Sequence, residues 1–229
     1  MLENSEVPAN GGRVVEVVSD VVCPWCFIGK RRIQKALQLL GRPGIGLRWK
    51  PFQLNPGAPK EGWGRQAYRA RKFGSADYAK QLEARVAAAG AGEGIDFQFD
   101  RIQLVPNTFQ AHRLIWLADR EGVQDAVVEK LFHSYFVAAE NIGERDVLRR
   151  IGAESGISAD SLDGLFSSDV GSDEVRSEEL HARRLGVNGV PSFFVAGEPV
   201  AEGADAPENL AAALGPALAQ CSVEGGVCG

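Results

Sequence analysis

The sequence has little of what a disulfide scaffold, a metal site or a membrane span requires. Its 229 residues contain four cysteines, too few to staple a chain of this length in the way small secreted domains are stapled. Three histidines, His112, His133 and His181, are scattered without paired ligand spacing. Six residues separate Cys221 from Cys228, where a structural zinc site places its paired cysteines about two to four apart. The sequence therefore predicts no metal. An excess of positive charge is also lacking. The net charge is −5, from 25 Lys and Arg against 30 Asp and Glu, which gives no electrostatic reason to expect nucleic acid or an anionic membrane as partner. No apolar run is long enough to span a bilayer, and Met1 to Gly12 lack a basic segment followed by an apolar one, so a cytoplasmic location is expected. There is no internal repeat, no low-complexity tract and no signal of oligomeric state.

What remains is an ordinary globular composition, 45% hydrophobic and 24% charged, able to bury a real core. One motif stands out in it. Cys23-Pro24-Trp25-Cys26 sits where a β-branched run, Val14 to Val18, gives way to helical spacing at Cys26, Gly29, Ile33, Ala36, Leu37 and Leu40. A Cys-x-x-Cys pair that opens a helix after a strand is the thioredoxin-type arrangement, and in a reducing compartment it signals catalysis more than structure. A thiolate at a helix N-terminus meets unsatisfied N–H groups and the positive end of the helix dipole, so its pKa falls. Pro24 suits the first helical position, and Gly41 suits the stop. Helical phase puts Cys26 on the buried stripe and Cys23 one turn earlier, so Cys23 is predicted accessible and Cys26 shielded. Lys30, Arg31 and Arg32 read as a solvated helix face.

The rest of the chain supplies an architecture. The nearly continuous apolar character of Val14 to Val18 predicts a central strand covered on both faces. Leu47 and Trp49 alternate with Arg48 and Lys50, a second strand that completes a β-α-β unit. From about Tyr68 to Gly186 the pattern is helical, interrupted at Gly90 to Pro106, which takes no clear assignment. Strand character returns at Phe193-Phe194-Val195 and at Pro199-Val200-Ala201, and Pro207 begins a last helix. The expected fold is α/β, thioredoxin-like, with a large inserted all-α subdomain. Residues 13–60 and 187–219 would form the sheet domain, 61–186 the helical insertion that covers substrate, and 1–12 and 220–229 flexible tails.

These segments resemble the FrnE-like branch of the DsbA family of thioredoxin-fold disulfide oxidoreductases. The likeness rests on Val18 to Cys26, Arg48 to Pro56, Pro106-Asn107-Thr108 with Ala111 to Leu114, and Gly189-Val190-Pro191, and it covers about Arg13 to Leu214. The resemblance implies Cys23 as nucleophile, Cys26 as resolving cysteine and Pro191 as a cis-proline. The backbone of Val190 is then the candidate for strand-like contact with substrate, beside Pro24 and Trp25. The sequence departs from the family pattern at Ser192, where a hydrophobic residue is more usual. Asp20, three residues before Cys23, either orients a water or assists proton transfer to Cys26 or, more commonly for such a residue, ends a strand or satisfies a turn; Asn107 and His112 resemble family motif positions that capping and packing explain equally well.

The function expected is thiol–disulfide exchange with protein or small-thiol substrates. No cofactor is expected beyond glutathione as a redox partner. Two other readings compete. Relatives of the 2-hydroxychromene-2-carboxylate isomerase and kappa-class glutathione transferase type bind glutathione in a similar cleft, but typically carry serine where this chain has Cys23. A chaperone-like module would instead hold polypeptide in an apolar groove around Trp25, Phe27 and Pro191. Cys221 and Cys228, with the flexible Gly225-Gly226 between them, are either solvent-exposed tail thiols or a labile auxiliary disulfide.

Overall fold

The structure, a computed structural model, describes residues 14–220. Cys221 and Cys228, and with them the expected auxiliary disulfide, lie outside the described residues.

The β-branched run Val14 to Ser19 forms strand β1 (Val14–Ser19), and its lack of polar alternation is explained by its position. β1 pairs in parallel with β2 (Gly46–Pro51) and antiparallel with β5 (Ser192–Val195), in a sheet of order β2-β1-β5-β6, with β6 at Glu198–Glu202. One face carries helix α1 (Pro24–Leu39) and the last helix, α9 (Pro207–Gln220), which pack on each other over Val15 and Val17. On the other face, Val18 joins Phe52, Ala182, Val187 and Phe194 in a second apolar cluster, with Ala182 supplied by α8 (Ser172–Arg184). A strand covered on both sides has no solvent face to mark with polar residues. The outer edge of β2 is closed by Gln124, whose side chain accepts from the Trp49 N–H at 2.8 Å and donates to the Trp49 carbonyl at 3.0 Å. That removes an open edge. This is a thioredoxin-like α/β fold, and the helices between β2 and β5 are its insertion.

Helix α1 starts with Pro24, whose missing N–H is one that the first helical turn leaves unpaired in any case. It ends at the predicted glycine. Gly41 takes φ +67, and the Arg42 N–H turns back onto the Leu37 carbonyl at 2.8 Å, the left-handed closure that glycine permits. The basic cluster on this helix is not the solvated face expected of it. Lys30 is 1% exposed; its ammonium donates to the Asp125 carboxylate at 2.5 Å and to the Asp125 carbonyl at 3.1 Å, and lies over Trp49. Arg31 clamps Glu129 through both terminal guanidinium nitrogens, and Arg32 pairs with Glu93 at 2.8 Å. Helical periodicity marked these positions as polar; the partners that cover them arrive from distant parts of the chain.

The insertion is helical but not the all-α unit expected: it opens with strand β3 (Trp63–Gly64), helix α2 (Arg65–Phe73) and helix α3 (Ala76–Ala91). Ser75 caps α3 by accepting from the Tyr78 N–H at 3.1 Å. The unassigned stretch from Gly90 to Pro106 ends in β4 (Leu104–Val105), which pairs antiparallel with β3. Within it Phe97 stacks on Phe99 with centroids 4.9 Å apart, and Phe97 meets Phe136 edge-on at 5.2 Å. Aromatic packing, not periodic structure, fixes this stretch. Helices α4 (Phe109–Arg120), α5 (Gln124–Phe136), α6 (Arg145–Glu154) and α7 (Ala159–Ser167) follow. Among the described residues no helix is long and apolar enough to cross a membrane.

Candidate active site

The chain leaves β1 at Ser19, turns through Asp20, Val21 and Val22, and enters α1 at Cys23. Cys23 is the N-cap, with φ −93 and ψ 113, and its N–H donates to the Asp20 carbonyl at 2.9 Å. The Cys26 N–H donates to the Cys23 carbonyl at 3.0 Å, closing the first turn. Both thiols are free. They therefore share one helix end, and their environments drive them in opposite directions. The Cys26 thiol donates to the Cys23 sulfur and lowers its pKa; burial works against this, the N–H groups of Cys26 and Trp25 add to it, and the negative charge of Asp20 opposes it. Burial pushes the Cys26 thiol well above its ordinary value, and the hydrogen bond to Cys23 and the charge there add to the rise. Ser19 and the Asp20 backbone relieve this only in part.

The predicted contrast in exposure is corrected. Cys23 is 5% exposed and Cys26 0%, so both are covered and what separates them is acidity. The cover over Cys23 is the loop before β5: the Cys23 thiol donates to the Val190 carbonyl at 3.5 Å, and the Val190–Pro191 bond is cis. Pro191 itself is buried. A Cβ on Gly29 would stand 2.8 Å from its Cγ, so the absence of a side chain at Gly29 lets α1 approach the proline. Ser192 closes the same loop by donating its hydroxyl to the Gly189 carbonyl at 2.9 Å, a contact that a hydrophobic residue there could not make.

A cavity of about 510 Å³ opens beside the thiol, and Cys23, Pro24, Trp25 and Val190 line one side of it. Pro191 does not line it, since its ring is turned into the core. Trp25 is 37% exposed, whereas Phe27 is 2% exposed and stacks on Phe132 at 5.1 Å. The apolar groove expected around Trp25, Phe27 and Pro191 is therefore not formed by those three residues. The Asp20 carboxylate accepts from the Leu54 N–H at 2.8 Å, a long-range contact, while its backbone carbonyl closes the local turn. The other carboxylate oxygen and His112 Nε2 lie 3.4 Å apart, both buried and without a hydrogen-bond partner among the described residues. Asn107 accepts from the Phe109 N–H at 2.9 Å and donates to the Ala58 carbonyl at 2.7 Å, capping and packing together.

Residues 14–215 match the DSBA-like thioredoxin domain. The chain belongs to that family. The chain is 25% identical to the uncharacterized protein YwbO of Bacillus subtilis over 193 residues, 83% of this chain and 90% of that one. It is similar to the crystal structure of the probable DsbA oxidoreductase SCO1869 from Streptomyces coelicolor, at 28% identity, 91% coverage of each chain and a TM-score of 0.84. The fold alone is shared with a 2-hydroxychromene-2-carboxylate isomerase, at 17% identity, 91% coverage of this chain, 98% of that one and a TM-score of 0.68. The same holds for the cytosolic disulfide reductase DsbM from Pseudomonas aeruginosa, at 20% identity, 90% and 99% coverage and a TM-score of 0.63.

The far wall of the cavity in this DSBA-like chain was missed by sequence reasoning. It comes from α2 and α3 and includes Arg65, Tyr68, Arg69 and Lys72 from the first, with Glu83 and Arg85 from the second. The spacing of the four α2 residues at i, i+3, i+4 and i+7 was present in the sequence as a signal of a shared face.

Proposed function

We propose that the chain is a thiol–disulfide oxidoreductase of the FrnE-like branch, with Cys23 as nucleophile and Cys26 as resolving cysteine. The observation that carries this reading is the placement of two thiols at one helix start, Cys23 as N-cap against the Val190 carbonyl and Cys26 in the first turn, fully buried, surroundings that favour a lowered pKa at Cys23 and a raised one at Cys26. A lowered pKa gives Cys23 the thiolate fraction that attack on a disulfide needs, while a raised pKa keeps Cys26 protonated until it is needed. In the reducing direction the Cys23 thiolate attacks one sulfur of a substrate disulfide. A Cys23–substrate disulfide forms, the substrate S–S bond breaks and one substrate thiolate leaves. Cys26 then passes its proton to the departing sulfur and attacks Cys23, which releases the second thiol and leaves a Cys23–Cys26 disulfide. The protein has lost two electrons and the substrate has gained them; the oxidising direction runs the same steps in reverse.

A cytoplasmic setting belongs to the same proposal, as does glutathione as a small-thiol partner. Both are supported by likeness in fold to DsbM, described as cytosolic and also solved with GSH. The Val190 carbonyl supports a backbone contact to substrate, because it is held by the Cys23 thiol and is released once that sulfur is ionised or bonded. Replacement of Cys23 by Ser is expected to abolish disulfide exchange, and replacement of Cys26 by Ser to accumulate a mixed disulfide at Cys23. Activity that survives loss of Cys26 without a trapped species would favour the glutathione-dependent isomerase or transferase reading. Suppression of aggregation that is indifferent to Cys23→Ser would favour a chaperone-like module.

A further inference from the structure

Helix α2 is built the wrong way round for a surface helix. Its sequence, Arg65 to Phe73, contains four basic residues and no acidic one. An ordinary amphipathic helix turns its charges to water and its small apolar residues inward. Here Ala67 and Ala70 are exposed, while Arg65 and Arg69 are half-buried on the inner side with Tyr68. Both arginines reach the cavity that Cys23 faces, and the exposed Lys72 and Arg85 reach it from farther out.

The protein itself neutralises these cations only in part, although Arg65 also lies over Phe99 at 5.4 Å and Lys72 over Tyr68 at 5.2 Å. Glu83 is the one carboxylate on this wall of the cavity, and it is shared, with Arg65 at 2.6 Å and Arg69 at 2.7 Å. After that sharing, Arg65 Nε and Arg69 Nε are buried without a hydrogen-bond partner. Lys72 donates to the Tyr68 hydroxyl at 2.7 Å, and among the described residues neither Lys72 nor Arg85 has an ion pair. Arg71, on the same helix, lies instead over Trp63 at 4.1 Å. Buried guanidinium nitrogens without acceptors are costly, so a site that keeps them is organised for an acceptor that arrives with the ligand. Arginine's planar fork suits a carboxylate in particular. The remaining wall, with Trp25, Phe73, Leu82, Val86 and Phe99, is apolar.

We infer that this cavity binds a low-molecular-weight thiol or disulfide with an apolar body and a carboxylate, the carboxylate held by the α2 and α3 cations while its sulfur meets Cys23. The inference rests on the redox reading above and names its substrate class. A volume of about 510 Å³ is within the range of small-molecule sites, about 300–1,000 Å³. The exchange is the one already written, with the carboxylate-bearing disulfide as oxidant and its two thiols as products.

Binding and exchange are tested with separate probes. (Benzylthio)acetate, PhCH2–S–CH2–COO−, carries an aromatic ring, a thioether sulfur that cannot exchange and a carboxylate; its primary amide is near-isosteric and neutral. Calorimetry on the full chain is expected to show the acid binding about tenfold or more tightly than the amide, a preference that weakens with salt. Lys72→Gln combined with Arg85→Gln is expected to reduce the ratio severalfold. Because both residues are exposed and lack ion pairs, this variant does not depend on a buried contact to fold. Arg69→Gln is expected to reduce the ratio further, with its melting curve recorded to show that the fold persists. A ratio within about twofold of unity, or one that none of these substitutions changes, would overturn the inference. Stoichiometric reduction of neutral 4,4′-dithiodipyridine tests the redox reading separately. Exchange with no acid preference leaves the redox reading standing and removes the carboxylate site. An acid preference with no exchange removes the redox reading and leaves a carboxylate-binding cavity, so the inferred substrate class falls with it.

Discussion

Cys23 and Arg69 face one cavity from opposite walls, yet the two walls are made in different ways. The sheet wall is a short-range structure: a strand end, a turn and the first turn of α1 set Cys23 and Cys26 at one helix terminus, and a single loop from the far end of the chain closes over them. The helical wall is a long-range one, with two α2 arginines that share Glu83 of α3 and are turned toward a thiol more than forty positions earlier in the sequence. The first wall sets the state of one sulfur. The second sets which molecules approach it. If that division holds, damage to the sheet wall should change thiol chemistry or stability, and damage to the helical wall should leave the thiol titration alone.

The largest effect is expected where the sheet wall is anchored. Lys30→Met leaves the Asp125 and Glu129 carboxylates without their buried ammonium. Breaking a buried pair typically costs about 3–5 kcal/mol, and because Asp125 keeps half its exposure the expected loss is nearer 2–4 kcal/mol. Urea unfolding measures it, and a loss below about 0.5 kcal/mol would show that α1 is not held this way. Gly29→Val should cost about 1–3 kcal/mol by overpacking against Pro191. It should also move Val190 off Cys23, seen as faster alkylation of Cys23 in the folded protein.

A smaller and more specific effect is expected from Cys26→Ala. The hydrogen bond from Cys26 is the largest influence lowering the Cys23 pKa, so its removal should raise the pH at which Cys23 becomes reactive. The sign of the linked stability follows. A thiol acidified by folding contributes nothing at low pH, and its contribution grows as pH rises from the folded pKa to the unfolded one. Reduced wild-type protein should therefore gain stability with rising pH across that interval, and Cys26→Ala should gain less. Above the ordinary thiol pKa the raised Cys26 acts in the opposite sense, so the wild-type gain should level off and then reverse. The smallest effect is expected on the other wall: Ser75→Ala removes the α3 cap at a cost of about 1 kcal/mol, with the Cys23 titration unchanged. A shifted titration in that variant would show that the two walls are coupled.

The two walls were also unequally legible in the sequence. Strand, turn and helix start lie within a dozen residues, so apolar run, Cys-x-x-Cys spacing and Pro24 together placed both cysteines at the helix end. Helical phase gives a direction, however, and not what lies along it. Cys23 was read as accessible because the Val190 loop that covers it is 167 positions away. Lys30 was read as solvated because Asp125, which buries its charge, is 95 positions away. On the far wall the spacing of Arg65, Arg69 and Lys72 was visible, but a charged stripe is by default a solvent face, and the exposed Ala67 and Ala70 reverse that default through tertiary packing alone. Strands β3 and β4 are too short to show a period of two, and the Phe97–Phe99 stack has no period at all.

The central claim is that one helix start holds two thiols of opposite acidity. Its most direct test is the pH dependence of alkylation in the reduced protein, followed residue by residue by mass spectrometry. The expected result is modification of Cys23 with a midpoint below the ordinary thiol range, while Cys26 stays unmodified across the same interval. Parallel modification of both cysteines with a shared midpoint at the ordinary thiol value would contradict it.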